Sequence, residues 1–165
     1  MFNYQDGPHQ LDFQALVPGI ISIYGKNKQG KTKIVDTLLL AIYGIEPRFT
    51  HDIINKHRKE ARTEIIFARN QDRFRITRTF RKKKHGGDST LELVQLNNDD
   101  TIKHHLSERV KKHSVNNTIK KLVGDPDILL YSNISQQDQH QNFTGLDAKS
   151  RTKLLKQILD TEQYD

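Results

Sequence analysis

Residues 20–33, IISIYGKNKQGKTK, run from an apolar stretch through two glycines to a lysine and a threonine. Gly19 precedes the continuous apolar set Ile20-Ile21-Ser22-Ile23-Tyr24, whose lack of alternation predicts a strand covered on both faces, as in a parallel sheet. Beyond the glycines, Ile34, Val35, Leu38, Leu39, Ala41 and Ile42 recur at helical spacing, and Gly44 is placed to cap the helix C-terminus. The local order is therefore strand, loop, helix. Gly25-Lys26-Asn27-Lys28-Gln29-Gly30-Lys31-Thr32 fits G-x-x-x-x-G-K-[ST] in that setting. Glycine lets the backbone approach a phosphate closely, so that successive N–H groups and the helix N-terminus form an anion cradle. Lys31 is expected to reach the β- and γ-phosphates of a nucleotide, and the Thr32 hydroxyl to join a Mg2+ shell. Gly25, Asn27, Lys28, Gln29, Gly30, Lys31, Thr32 and Lys33 are thus the candidate nucleotide-binding residues.

The rest of the composition narrows the class. A chain of 165 residues can build one ordinary domain with a real core, with room for a small appendage. Its 27 basic residues outnumber 20 acidic ones for a net charge of +7, which favours polyanionic partners without choosing among nucleotide, nucleic acid and acidic surfaces. There is no cysteine, so neither a disulfide framework nor a thiolate metal site can form. No apolar run approaches the roughly 20 residues of a membrane span, and the N-terminus lacks the features of a signal peptide. A soluble intracellular protein is expected.

From Arg62 the pattern changes to short β-like runs, RTEIIFA, DRFRITRTF and STLELVQL, with turn chemistry at Asn70-Gln71 and Gly86-Gly87. An antiparallel meander is the natural reading. Residues 107–123 carry Val110, Val115, Ile119, Leu122 and Val123 at the spacing of one or two amphipathic helices, stopped by GDPD. A glutamine-rich stretch, SNISQQDQHQNF, follows ILLY, and Asp147 can then cap a helix with Leu154, Leu155, Ile158 and Leu159 on one face.

Arg73, Arg75, Arg78, Arg81, Lys82, Lys83 and Lys84 concentrate charge on one predicted hairpin. They could meet a phosphate backbone, and a solvated hairpin tip accounts for the three lysines equally well. Alternation puts Arg73, Arg75 and Thr77 on one face and Phe74, Ile76 and Arg78 on the other, so only some of these charges can act together. His104-His105 and the pair His51 and His57 lack the cysteines or the H-E-x-x-H helix that would complete a zinc site. The sparse aromatics are not interleaved with basic residues, which does not suit a base-stacking platform.

The stretch LDFQALVPGIISIYGKNKQGKTKIVDTLLLAIYG resembles the N-terminal lobe of SMC-like DNA double-strand-break repair ATPases, a family that includes the ATPase subunit of the break-repair nuclease complex, bacterial SbcC and phage counterparts. Those proteins combine a strand ending in F, a G-I pair, the phosphate loop and a helix ending LYG. The resemblance continues through DIINKHRKEARTEIIF and RFRITRTF to ISQQDQHQNFTGLDAKSRTKLLKQILDTEQYD. This last segment is similar to the family's Q-loop and its R-x-x-x-L-x-x-x-L helix leading into a coiled coil. Gly25, Asn27, Gly30, Lys31 and Thr32 fall on the family's loop positions, while Lys28 stands where a second glycine is usual. By its spacing from Ile134 and Phe143, Gln136 matches the glutamine that contacts Mg2+ and the attacking water, with Gln137 and Gln139 as competitors.

The resemblance implies an α/β fold, a P-loop NTPase of ABC-ATPase type, with residues 1–165 as the N-terminal half of a head domain. Within it, 1–50 would hold strand, phosphate loop and helix, 51–106 the β-meander subdomain, 107–130 a helical segment, 131–146 the Q-loop, and 147–165 a helix toward a coiled coil. ATP and Mg2+ are the implied cofactors, with Lys31 and Gln136 as catalytic residues and Thr32 and Gln136 on the metal. Hydrolysis also needs an apolar strand ending in Asp-Glu, and neither DILLYSN nor LLKQILD supplies one. No SGG-type signature segment occurs either. The expectation is a half-head, a weak or inactive ATPase alone. Its implied partners are a C-terminal lobe, a second head, a nuclease subunit and double-stranded DNA, with no membrane. Two other readings stand beside it. A complete phosphate-loop kinase or small NTPase would need an acidic metal ligand and a lid arginine pair within the chain, and a non-catalytic DNA-binding module would depend on the basic hairpin.

Overall fold

Ten residues of alternating character, Glu60–Arg69, pair antiparallel with Asp72–Lys82 in an unbroken register from Glu60 opposite Arg81 to Arg69 opposite Asp72. These strands, β1 and β2, are joined by Asn70-Gln71 as the sequence predicts, with Asn70 in the left-handed region at φ 56°. Asparagine enters that region more easily than most residues, and this keeps the connection to two residues. Strand β3, Gly87–Leu96, pairs along the other side of β2, and the short β4, Ile102–His105, completes a four-stranded sheet in the order β1-β2-β3-β4. Gly87 already pairs with Lys82 in the ladder, and residues 83–86 between them, Gly86 of the predicted turn included, lie outside the described residues. Strand β4 is not among the runs read from sequence.

The computed structural model describes residues 9–16, 19–26, 31, 33–44, 53–55, 57–82, 87–108, 110–130 and 145–159. Asn27, Lys28, Gln29, Gly30 and Thr32 lie outside them, as do Lys83, Lys84 and the glutamine-rich segment with Gln136, Gln137 and Gln139. The chain divides into two compact units, residues 1–115 and 116–165.

In the first unit, helix α1, Lys33–Tyr43, packs on β1 and β2. Leu39, Leu40, Ala41 and Ile42 are consecutive and all buried, so the helix is enclosed at its C-terminal end and not merely along one stripe. Leu40 joins Ile53 and Phe80 in one cluster, with Ile54 and Ala61 against it. The register aligns Phe67 with Phe74, Ile65 with Ile76, and Ile76 with Leu93, making an apolar ladder across three strands. The Phe67 and Phe74 rings stack at 5.5 Å. Ile76 is fully buried at the middle of this ladder. Ile76→Val, which removes one methylene there, is expected to cost about 1 kcal/mol, read as a lower urea midpoint at an unchanged denaturant slope.

Residues 20–24 depart from expectation. They form no strand, Ile20 is 100% exposed and Tyr24 90%, and Ile21 and Ile23 are also exposed. The sequence predicts a strand covered on both faces here, but a strand exists only through the ladder of its neighbours. Among the described residues no strand pairs with it.

Helix α2, Lys112–Val123, begins five residues later than the sequence range allowed, leaving Val110 outside it and exposed. Within it Val115 and Ile119 are buried, and Gly124 closes it by donating its N–H to the Lys120 carbonyl. In the second unit the short α3, Pro126–Ile128, is capped by Asp125 and packs with α4, Ala148–Ile158. Only Leu154 of the predicted apolar face of α4 is buried, while Leu155, Ile158 and Leu159 are exposed.

Asp147 caps α4 as predicted, accepting from the Ser150 N–H at 3.0 Å and the Ser150 hydroxyl at 2.6 Å. Those bonds, the hydroxyl first, hold its carboxyl below the ordinary aspartate value. A depressed carboxylate contributes stability above its unfolded pKa and loses it as pH falls through the folded one. Acidification through that range is therefore expected to release the Ser150 amide, seen as a shift of its NMR signal that Asp147→Ala abolishes.

Candidate functional site

The first turn of α1 is where the sequence motif meets the structure. Lys31 stands just ahead of the helix, and the Ile34 N–H donates to its carbonyl at 3.2 Å. Its ammonium folds back over the preceding segment, donating to the Gly25 carbonyl at 2.6 Å and the Lys26 carbonyl at 2.8 Å. The Gly25 and Lys26 carbonyls thus meet a cation just ahead of a helix N-terminus. A phosphate would find both the positive end of the helix dipole and a mobile point charge there. This donor set fits a nucleotide's phosphates. The residues proposed for the metal, Thr32 and Gln136, lie outside the described residues.

Lys33, another candidate, directs its ammonium to Asp36 at 3.0 Å, an ion pair across the first turn. The Thr37 hydroxyl donates to the Lys33 carbonyl at 2.6 Å and tightens the same turn.

At the other end of α1, Gly44 donates its N–H to the Leu40 carbonyl at 2.9 Å with φ at 68°, the left-handed cap that glycine adopts without steric cost. Against this cap lies a residue whose role the sequence did not reveal. Arg78, in the middle of β2, is 3% exposed. Its Nε donates to the Ala41 carbonyl at 3.0 Å and its Nη2 to the Ile42 carbonyl at 2.8 Å. Burial pushes its pKa down to about 10, which leaves it charged at neutral pH. A cation on the last carbonyls of a helix satisfies groups the helix cannot satisfy itself and complements the dipole. The signal was present in the alternation, which sets Arg78 in phase with Phe74, Ile76 and Phe80 rather than with Arg73 and Arg75.

The basic hairpin is accordingly less basic than its composition. Arg78 is withdrawn to the helix, Arg73 pairs with Asp100 at 2.9 Å, and Arg81 pairs with Glu60 at 3.2 Å. Arg62 likewise meets Glu64, and Lys82 donates to the Asn55 carbonyl at 3.0 Å. Arg75 is half-buried, with its Nε shielded and unpartnered. Among the described residues no group of three or more histidine and acidic side chains is arranged to hold a metal, and no helix is long and apolar enough to cross a membrane.

Comparison with known proteins gives the family. Residues 2–165 match the family model described as an AAA domain. A stretch of 69 residues, 41% of this chain, is 32% identical to the DNA double-strand break repair Rad50 ATPase of Methanocaldococcus jannaschii, and covers 7% of that protein. The chain spans only a small part of that relative's length. Matched over residues 2–165, the chain is a member of the AAA domain family, and the partial likeness to a break-repair ATPase supports an N-terminal ATPase lobe of the SMC-like type.

Proposed function

We propose that the chain is the ATP-binding half of an ABC-type head that acts in DNA repair or recombination. The observation that carries this reading is the Lys31 ammonium gathered over the Gly25 and Lys26 carbonyls at the N-terminus of α1. ATP would be held by Gly25, Asn27, Lys28, Gln29, Gly30, Lys31, Thr32 and Lys33, with Lys31 drawing charge off the terminal phosphates. Mg2+, which supplies Lewis acidity and charge neutralisation when bound, would be held by Thr32 and Gln136. Gln136 would also orient the attacking water.

The uncovered apolar residues Ile20, Ile21, Ile23 and Tyr24 support a role for a complementary C-terminal lobe, whose strands would supply the missing ladder. Two such heads would close around nucleotide and so regulate double-stranded DNA and a nuclease subunit, as the similarity to a double-strand break repair ATPase suggests. The largely paired charges of β1 and β2 lend less support to a stand-alone DNA-binding module.

The test is titration of the chain with ATP in the presence and absence of Mg2+, with phosphate release followed in the same samples. Saturable binding that Mg2+ strengthens, with little turnover, is expected of a half-head. Rapid turnover by the chain alone would replace this reading with a self-contained NTPase or kinase.

A further inference from the structure

The guanidinium of Arg78 occupies a position where a leucine would complete the apolar ladder of β2. Burying a charge there opposes folding unless its hydrogen bonds are well made, so the residue specifies an arrangement more than it adds stability. The arrangement is the joint between β2 and the end of α1. Two of its N–H groups meet the Ala41 and Ile42 carbonyls. The chain turns away at Gly44 with just enough room, since a Cβ there would lie 2.9 Å from Nη1 and 3.2 Å from Cζ. The helix so fixed is the one that carries Lys31 at its head. Eleven residues of α-helix form a rod about 16 Å long, and the Lys33–Asp36 pair and the Thr37 hydroxyl brace its first turn. A rod held at one end cannot shift or rotate freely at the other.

We propose that Arg78 is a positioning residue for the phosphate loop: by fastening the C-terminal end of α1 to β2, it sets where the helix N-terminus and Lys31 stand. The proposal rests on the phosphate-loop reading above and adds to it a residue of the β-meander. It also makes β2 a mechanical link between the sheet and the nucleotide. Arg78 touches no phosphate and acts only through the helix.

The experiment compares the full chain with Arg78→Met, Arg78→Lys and, as a control in the same sheet, Leu96→Ala. Two quantities are read well below each variant's melting temperature: the dissociation constant for ATP with Mg2+, and the backbone amide signals of residues 25–34. Arg78→Met is expected to weaken ATP by about tenfold and to shift or broaden the loop amides. Arg78→Lys, which keeps a charge and one or two of the bonds, is expected to recover much of that loss. Leu96→Ala is expected to lower the melting temperature and leave both readouts in place. A loss of thermal stability in Arg78→Met with ATP affinity and loop amides unchanged would overturn the proposal. Should Arg78→Met fail to fold, Arg78→Lys decides, with an affinity and loop spectrum identical to the original counting against it. If the original chain binds no ATP, the nucleotide reading fails by itself, and the loop amides still decide whether Arg78 positions that end of the helix.

Discussion

Lys31→Ala is expected to weaken ATP binding by roughly a hundredfold while leaving the fold intact. Lys31 is partly buried at the head of a helix, its ammonium makes exposed hydrogen bonds, and it is no part of the buried core. A hydrogen bond to a charged group contributes about 1.5–3 kcal/mol, and truncating one partner of a desolvated charge pair costs about 2–5 kcal/mol. Phosphate must take this ammonium from the Gly25 and Lys26 carbonyls, so part of the gross attraction is spent in exchanging one set of acceptors for another. A net of about 3 kcal/mol remains, which is the hundredfold. The same exchange predicts that Lys31→Ala loosens the backbone at Gly25 and Lys26, whose carbonyls lose a shared donor. Isothermal titration with ATP and Mg2+ checks the first expectation, and circular dichroism checks that the helix content is retained. An unchanged dissociation constant would remove Lys31, and with it the loop, from the account of function.

Why these features differ in how far the sequence reveals them is a matter of range. The β1–β2 hairpin was legible almost to the residue, because alternation and a two-residue turn are local and the pairing follows from them. Helix α1 and its Gly44 cap were legible for the same reason. The run Ile20–Tyr24 was legible as apolar, yet its strand was not realised, since a parallel ladder depends on segments far away in the chain or on another chain. Arg78 lies between these cases. Its face was predicted, but a lone arginine in phase with Phe74, Ile76 and Phe80 gives no hint of its acceptors, which are carbonyls of residues 41 and 42. Net charge misled in the same place. A count of seven cations on one hairpin cannot register that Arg73 and Arg81 each face a carboxylate supplied by a neighbouring turn or strand.

Gly44→Val is expected to destabilise the chain by about 3–5 kcal/mol, a large fraction of the 5–15 kcal/mol by which domains are usually stable. Two costs combine. Placing a side chain at the φ of 68° costs about 1–2 kcal/mol, more for a β-branched residue, because Cβ approaches the neighbouring carbonyl oxygen. The new Cβ also stands 2.9 Å from Nη1 of Arg78. An exposed arginine would swing aside at little cost, but this one is buried and bonded to two helix carbonyls. Moving it leaves those carbonyls unsatisfied, at about 1–3 kcal/mol for each buried polar group left without a partner. Gly44→Ala separates the two costs in part, since it carries the strain and the first contact without the branched bulk. The decisive comparison is a double-mutant cycle in urea with Arg78→Met, whose flexible apolar side chain can yield to the new Cβ. If the glycine is required because of the arginine, Gly44→Val costs distinctly less in the Arg78→Met background, down to the conformational part of about 1–2 kcal/mol. Equal costs in both backgrounds would mean that backbone conformation alone demands glycine here, and that the guanidinium and the helix cap are independent neighbours.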